Sequence, residues 1–196
     1  MTARVLIVGC GSIGQRHARN LRSLGAGEIC VYDPDGSRAE QAVKDAGAVA
    51  VRSVEDGLAL GPQAVLVCTP PHLHTEAARA AVDAGAHVFI EKPLAARLDG
   101  VAEMIGAAAR RNLVVMAGYN LRFHAGLRKV KGLVDAGSVG RVLTVRAEYG
   151  QYLPTWRPER DYRAGYIARP ETGGGIILEE SHELDYVAWL GGRVVS

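Results

Sequence analysis

Apolar positions recur along the first two thirds of this chain in two alternating textures. Short runs rich in Val, Ile and Leu occupy residues 4–8, 28–32, 49–51, 64–68, 87–90 and 114–118. Each is too short for a helix, and unbroken apolar runs suit strands buried on both faces of a parallel sheet. Between them, residues 13–24, 37–46, 73–84 and 98–110, and more weakly 54–60, space their apolar side chains at the helical period. Gly25, Gly27, Gly47 and Gly85 fall where helix ends need a left-handed residue. Strand and helix in strict alternation, joined by right-handed crossovers, predict an α/β fold with a doubly wound parallel sheet of the Rossmann type.

The texture changes near residue 120, which divides the chain into an expected first domain, 1–120, and a second unit, 121–196. In the second unit the pattern predicts a helix over 124–134 and a long strand over 141–149, where Val142, Thr144, Arg146 and Glu148 alternate with Leu143, Val145, Ala147 and Tyr149. A loop rich in Tyr, Arg and Pro follows over 150–172, then Gly173, Gly174 and Gly175, then a helical run to 190, and a further strand is expected to start at 193–196. A lone alternating strand would expose an unpaired edge and an uncovered apolar face, so the second domain is expected to be incomplete. The sequence holds no internal repeat and no low-complexity tract.

Composition narrows the function. With 196 residues, 48% of them apolar and 22% charged, the chain can bury a real core. Its 23 basic and 21 acidic residues leave a net charge of +2, which gives no electrostatic footprint for nucleic acid or an anionic membrane. Small solutes are the expected partners. Cys10, Cys30 and Cys68 sit in or beside apolar runs without metal-ligand spacing, so they read as buried free thiols of a cytoplasmic protein. The first residues form neither a signal peptide nor a membrane span.

Gly9-x-Gly11-x-x-Gly14 follows the first strand and opens the first helix. Glycines there permit a tight turn and close backbone approach, while the helix N-terminus attracts a pyrophosphate. The motif alone also describes a tight corner. Asp33, at the end of the second strand, adds a carboxylate where adenosine ribose hydroxyls would lie, and so favours NAD over NADP. Arg38 can soften that preference toward NADP. A methyltransferase with a Gly-rich first turn and an acid after the second strand stays open at this point.

Ligands of open α/β sheets bind outside the carboxyl ends of the strands. The fourth strand ends in Cys68-Thr69-Pro70-Pro71-His72-Leu73-His74 and the fifth in Glu91-Lys92-Pro93. The proline restricts Lys92 to an extended backbone. A lysine at an arbitrary place is usually a solvated surface residue.

These motifs, with Gly9-Cys10-Gly11-Ser12-Ile13-Gly14, then Gly118-Tyr119-Asn120-Leu121-Arg122-Phe123, then the Gly-rich entry to a helix bearing His182, resemble the glucose-fructose oxidoreductase and myo-inositol dehydrogenase (Gfo/Idh/MocA) family along essentially the whole chain. The resemblance implies an N-terminal dinucleotide domain and a C-terminal α/β domain, with NAD(P) and a carbohydrate-like substrate meeting between them, in a homo-oligomer when full length. By the same resemblance Gly9, Gly11, Ser12, Ile13, Gly14, Asp33, Arg38, Thr69, Pro70, His72, His74, Glu91 and Lys92 contact the cofactor. Lys92 would hydrogen-bond the reacting hydroxyl and His182 would act as its base, which suits loss of hydride from a carbinol carbon.

Within Glu179-Glu180-Ser181-His182-Glu183-Leu184-Asp185, helical spacing would put Glu179, His182 and Asp185 on one face, with Glu179 or Asp185 orienting the imidazole. Several family members carry Asp four residues before the histidine, whereas this chain has Leu178 there and Glu179 three before. A metal bound by that trio is disfavoured for want of a second histidine. Tyr119, Asn120 and Arg122 are expected to line the cofactor or substrate cleft, although they would equally suit a hinge, and Trp156 is expected to contact the substrate. The loop residues Tyr152, Trp156, Tyr162, Tyr166, Arg157, Arg160, Arg163 and Arg169 suit a sugar acid, a nucleotide-linked sugar or an oligomer interface. The leading expectation is an NAD(P)-dependent dehydrogenase of a sugar or cyclitol hydroxyl, and the alternative is a non-catalytic cofactor-binding regulator.

Overall fold

The computed structural model describes residues 3–156 and 161–193. The chain folds into two compact units, Met1–Gly118 and Tyr119–Ser196. The first contains β1 (Arg4–Val8), α1 (Ser12–Ser23), β2 (Glu28–Tyr32), α2 (Gly36–Ala46), β3 (Val49–Ala50), α3 (Val54–Ala59), β4 (Ala64–Val67), α4 (His74–Asp83), β5 (His87–Ile90), α5 (Val101–Arg110) and β6 (Val115–Ala117). The strands form one parallel sheet in the order β3-β2-β1-β4-β5-β6. The order reverses at β1 and β4, as a doubly wound sheet requires.

Pleating explains why the apolar runs are unbroken. Leu6 and Val8 of β1 join Val65 and Val67 in a core with Ala78, Ala81 and Val82 of α4 and Met104, Ala107 and Ala108 of α5. Val5 and Ile7 point the other way, into a core with Ala18 of α1 and Ala39, Ala42 and Ala46 of α2. The helices turn alanine toward the sheet, so their backbones approach it closely. The weak pattern over 54–60 still folds as α3, because the Ser53 hydroxyl accepts from Asp56 N at 3.0 Å and caps it.

Several expected boundaries move. The helix expected over 73–84 starts with a 3₁₀ turn at Pro71–Leu73 before α4 begins at His74. The one expected over 98–110 starts only at Val101, after Gly100 at φ 73°. Strand β3 keeps only two residues, both exposed.

The second unit begins with a 3₁₀ turn, Asn120–Phe123, and continues through α6 (Ala125–Asp135), α7 (Leu153–Trp156), α8 (Ile176–Glu179) and α9 (Ser181–Gly191). The expected strand over 141–149 is not formed: those residues enter no ladder. A strand exists only by hydrogen bonding to a neighbour, and alternation in the sequence does not supply one. Val142, Leu143, Thr144 and Val145 instead line a groove with Val187, Ala188 and Gly191 of α9. The helical run to 190 is also interrupted, at Glu180 (φ −103°, ψ 37°) between α8 and α9. The expected loop folds in part into α7 and three 3₁₀ turns, Tyr162–Ala164, Tyr166–Ala168 and Pro170–Thr172. Of the strand expected over 193–196, residues 194–196 lie outside the described residues, as do Arg157 and Arg160.

Candidate functional site

Parallel register collects the first unit's candidate residues on one edge. Val8 pairs with Tyr32 and with Val67, Val67 with Ile90, and Ile90 with Ala117. The residues that follow this row are Gly9, Asp33, Cys68-Thr69, Glu91-Lys92 and Gly118.

The glycine turn is specified atom by atom. Gly9 takes φ 96° and donates its N–H to Tyr32 O at 2.8 Å. A Cβ on it would stand 2.6 Å from Cys68 O, and one on Gly14 would stand 1.9 Å from Gly9 O. Both glycines are therefore demanded by the fold itself. Gly11 differs: a Cβ there would meet nothing within 4 Å. It is the N-cap of α1, with no side-chain cap and no acid in the first turn, so no side chain of the helix's own first turn competes for its leading N–H groups around Ser12 and Ile13.

Asp33 closes the turn from β2. Its Oδ2 accepts from Cys10 N at 2.7 Å and its Oδ1 from Asp35 N at 2.9 Å, which fixes the carboxylate and leaves lone pairs for hydroxyl donors. Arg38 pairs with Asp35, Nε to Oδ2 at 3.2 Å, on the exposed side of this corner. The open space at Gly11, the uncapped helix end and the anchored carboxylate fit a dinucleotide: pyrophosphate at α1, ribose at Asp33. All three cysteines are buried and free. Burial, reinforced by Asp33, pushes the Cys10 thiol up to about 12, and burial also raises Cys68 and Cys30, so none is a ready nucleophile.

At the β4 tip, Thr69 Oγ1 is buried without a hydrogen-bond partner among the described residues, a polar atom able to meet a donor or acceptor of a bound ligand. Pro70 leads the 3₁₀ turn and His72 is exposed on it. His74 lies differently from its expected place at the cofactor. Its ring is 1% exposed, with Nδ1 2.8 Å from Pro93 O and Nε2 2.7 Å from Thr69 O, so both nitrogens face main-chain carbonyls and neither is offered to a ligand. Burial dominates and pulls this imidazole below its usual range, against the opposing pull of those carbonyls and of Glu91. The histidine thereby ties the β4 tip to the residue after Lys92.

Glu91 has a partner that sequence reading did not single out. His17 Nε2 on α1 lies 2.6 Å from Glu91 Oε1, and Glu91 Oε2 accepts from Lys92 N at 3.2 Å. The only sequence signal for His17 is its place one helical turn after Gly14.

The second unit brings Tyr119, Arg122, His182 and Asp185 together. Tyr119 and His182 meet edge to face, with ring centroids 5.8 Å apart. Arg122 clamps Asp185 in a fork, Nε to Oδ2 and Nη2 to Oδ1 both at 2.8 Å, and lies over the Trp189 ring at 5.6 Å. Asp185 is thus committed to Arg122, not to orienting the imidazole as expected. The helix break at Glu180 also removes the shared helical face assumed for Glu179 and His182. Glu179, 8% exposed, accepts from the Tyr166 hydroxyl at 3.0 Å. Asn120 stands in the same 3₁₀ turn as Arg122, and Trp156 ends α7.

Comparison with known proteins gives this geometry a setting. Residues 3–119 match the model of an oxidoreductase family with an NAD-binding Rossmann fold, and residues 127–196 match a Gfo/Idh/MocA C-terminal domain. Inositol 2-dehydrogenase 3 of Saccharopolyspora erythraea is 36% identical over 97% of this chain and 54% of its own length. Inositol 2-dehydrogenase of Ralstonia nicotianae is 34% identical over 98% of this chain and 55% of its own length. Among solved structures, the WlbA dehydrogenase of Chromobacterium violaceum, in complex with NADH and UDP-GlcNAcA, superposes with a TM-score of 0.85 at 29% identity, covering 98% of this chain and 56% of its own. The chain spans about half the length of the curated relatives it matches. On the strength of both domain matches, the chain belongs to the Gfo/Idh/MocA oxidoreductase family, and its first unit is that family's NAD-binding Rossmann domain.

Proposed function

We propose that this chain carries the cofactor site and the proton-handling residues of an NAD(P)-dependent dehydrogenase that oxidises a secondary hydroxyl of a cyclic polyol, sugar or sugar derivative, or reduces the matching ketone. The observation that supports it most is the alignment, on one sheet edge, of the glycine turn, Asp33 and Lys92. Relatives named as inositol dehydrogenases, and one solved with a nucleotide-linked sugar acid, support the substrate class.

In this reading Gly9, Gly11, Gly14 and Asp33 hold the dinucleotide, and the bound nicotinamide supplies the hydride chemistry. The Lys92 ammonium hydrogen-bonds the substrate hydroxyl and stabilises alkoxide character as the proton leaves. His182 receives that proton, with its ring steadied by the edge of Tyr119. Asp33 argues for NAD over NADP, since a carboxylate repels a 2′-phosphate. No helix among the described residues is long and apolar enough to cross a membrane, and a reducing cytosol suits the three free thiols.

The test is Lys92→Ala, assayed by reduced-nicotinamide absorbance against a panel of inositols and sugars. Turnover should fall by about a hundredfold or more while NADH affinity stays within about twofold. Equal losses in turnover and cofactor binding would remove Lys92 from the chemistry.

A further inference from the structure

We propose that His17 is a positioning residue for Lys92, acting through the Glu91 carboxylate; the catalytic part of this rests on the reading of Lys92 given above.

The pair is built from two distant segments. His17 projects from α1, and its side chain is 19% exposed; Glu91 follows β5 and is 14% exposed. An ionised carboxylate only accepts hydrogen bonds, so the 2.6 Å contact places the proton on His17 Nε2. The same ring stands edge to face on Phe89, with centroids 5.3 Å apart, which fixes its plane as well as its polar end. Glu91 is confined on its other side by Gly118, where even a Cβ would come within 3.3 Å of Oε2. Its own N–H is held by Val67 O at 2.9 Å. The carboxylate therefore has one place to be, and from there Oε2 receives the Lys92 N–H at 3.2 Å.

Lys92 thus stands between two residues tied to different helices. Glu91 is anchored to His17 of α1, and Pro93 O to His74 at the start of α4. Neither histidine needs to touch substrate for this to matter, because an offset of about 1 Å in a catalytic group can cost about a hundredfold in rate. The glycine turn opens α1 and His17 lies on that helix, so one element carries both the pyrophosphate end of the site and the brace for Lys92.

The experiment uses the 196-residue chain with His17→Phe, which keeps a ring against Phe89 but has no N–H, and His17→Gln, which restores a donor. His17→Asn, too short to reach Glu91, serves if the phenylalanine perturbs folding. Three quantities are measured: exchange of the Lys92 backbone amide by NMR, NADH affinity by fluorescence, and turnover. The expected result is exchange of the Lys92 amide about tenfold faster in His17→Phe, turnover down about tenfold or more, NADH affinity within about twofold, and recovery of both losses in His17→Gln. Unchanged exchange at Lys92 would overturn the proposal. A loss of NADH affinity as large as the loss of turnover would also overturn it, because the pair would then serve the cofactor. If Lys92→Ala retains turnover, the reading of Lys92 fails instead, whereas the amide exchange still reports on the brace.

Discussion

The two units of this chain use the same kinds of residue to different ends. Every buried hydrophobic side chain among the described residues lies between Val5 and Ala108, in the first unit. In the second, the buried side chains among the described residues are Glu179 and Ser181, while Leu143, Ile177 and Leu184 are 84%, 71% and 60% exposed. The first unit therefore places its candidate groups by packing: Gly9 and Gly14 sit where no Cβ fits, and a Cβ on Gly118 would come within 3.3 Å of Glu91 Oε2. The second places them by polar and aromatic contacts such as Arg122 with Asp185 and Tyr119 with His182. Packing tolerates little change in volume, whereas the Arg122–Asp185 fork, with the Arg122 side chain 44% exposed and that of Asp185 11%, depends on holding two side chains in one geometry.

Truncation scanning would sharpen that contrast most. Ile90, fully buried on β5, should lose about 2–5 kcal/mol of stability as Ile90→Ala, whereas Leu184→Ala on α9 should stay within about 0.5 kcal/mol. Denaturant midpoints for the two variants give the answer, and comparable losses would erase the distinction drawn here.

A smaller effect should appear with pH. His74 is held below its usual range by burial, so the unfolded chain, titrating near 6.5, binds a proton that the folded chain resists. Its contribution is complete above that pH, declines below it, and is lost once pH has fallen through the lower value of the folded chain. Thermal melts between pH 8 and 5 should therefore show stability declining below about 6.5, with a shallower decline in His74→Gln. An identical slope in the variant would show that the tie between Thr69 and Pro93 has no such dependence.

What could be read from the sequence follows the same division. The six strands, the glycine turn and Asp33 were legible because each depends on local composition and on a spacing that the fold preserves. Residues 141–149 alternate as a strand should, yet form none, because pairing needs a partner that alternation does not encode. His74 looked like a ligand group because its sequence neighbours do not show that two carbonyls, one of them 19 residues away, would take both ring nitrogens. The His17–Glu91 contact joins residues 74 apart, and the fold brings them together by seating the His17 ring of α1 on Phe89 of β5. The turn at Glu180 broke a helical face that periodicity alone would have continued.

The most direct test of the central claim, that the first unit is a working NAD cradle, is titration of the chain with NADH and NADPH by nicotinamide fluorescence, for the native protein and for Gly11→Ala. A methyl at Gly11 meets no protein atom within 4 Å, so stability should be unchanged. The expected result is saturable binding of NADH in preference to NADPH, weakened about tenfold or more by Gly11→Ala with no shift in Tm. NADH binding that is absent, or indifferent to Gly11→Ala, would contradict the claim and leave the glycine turn as no more than a tight corner.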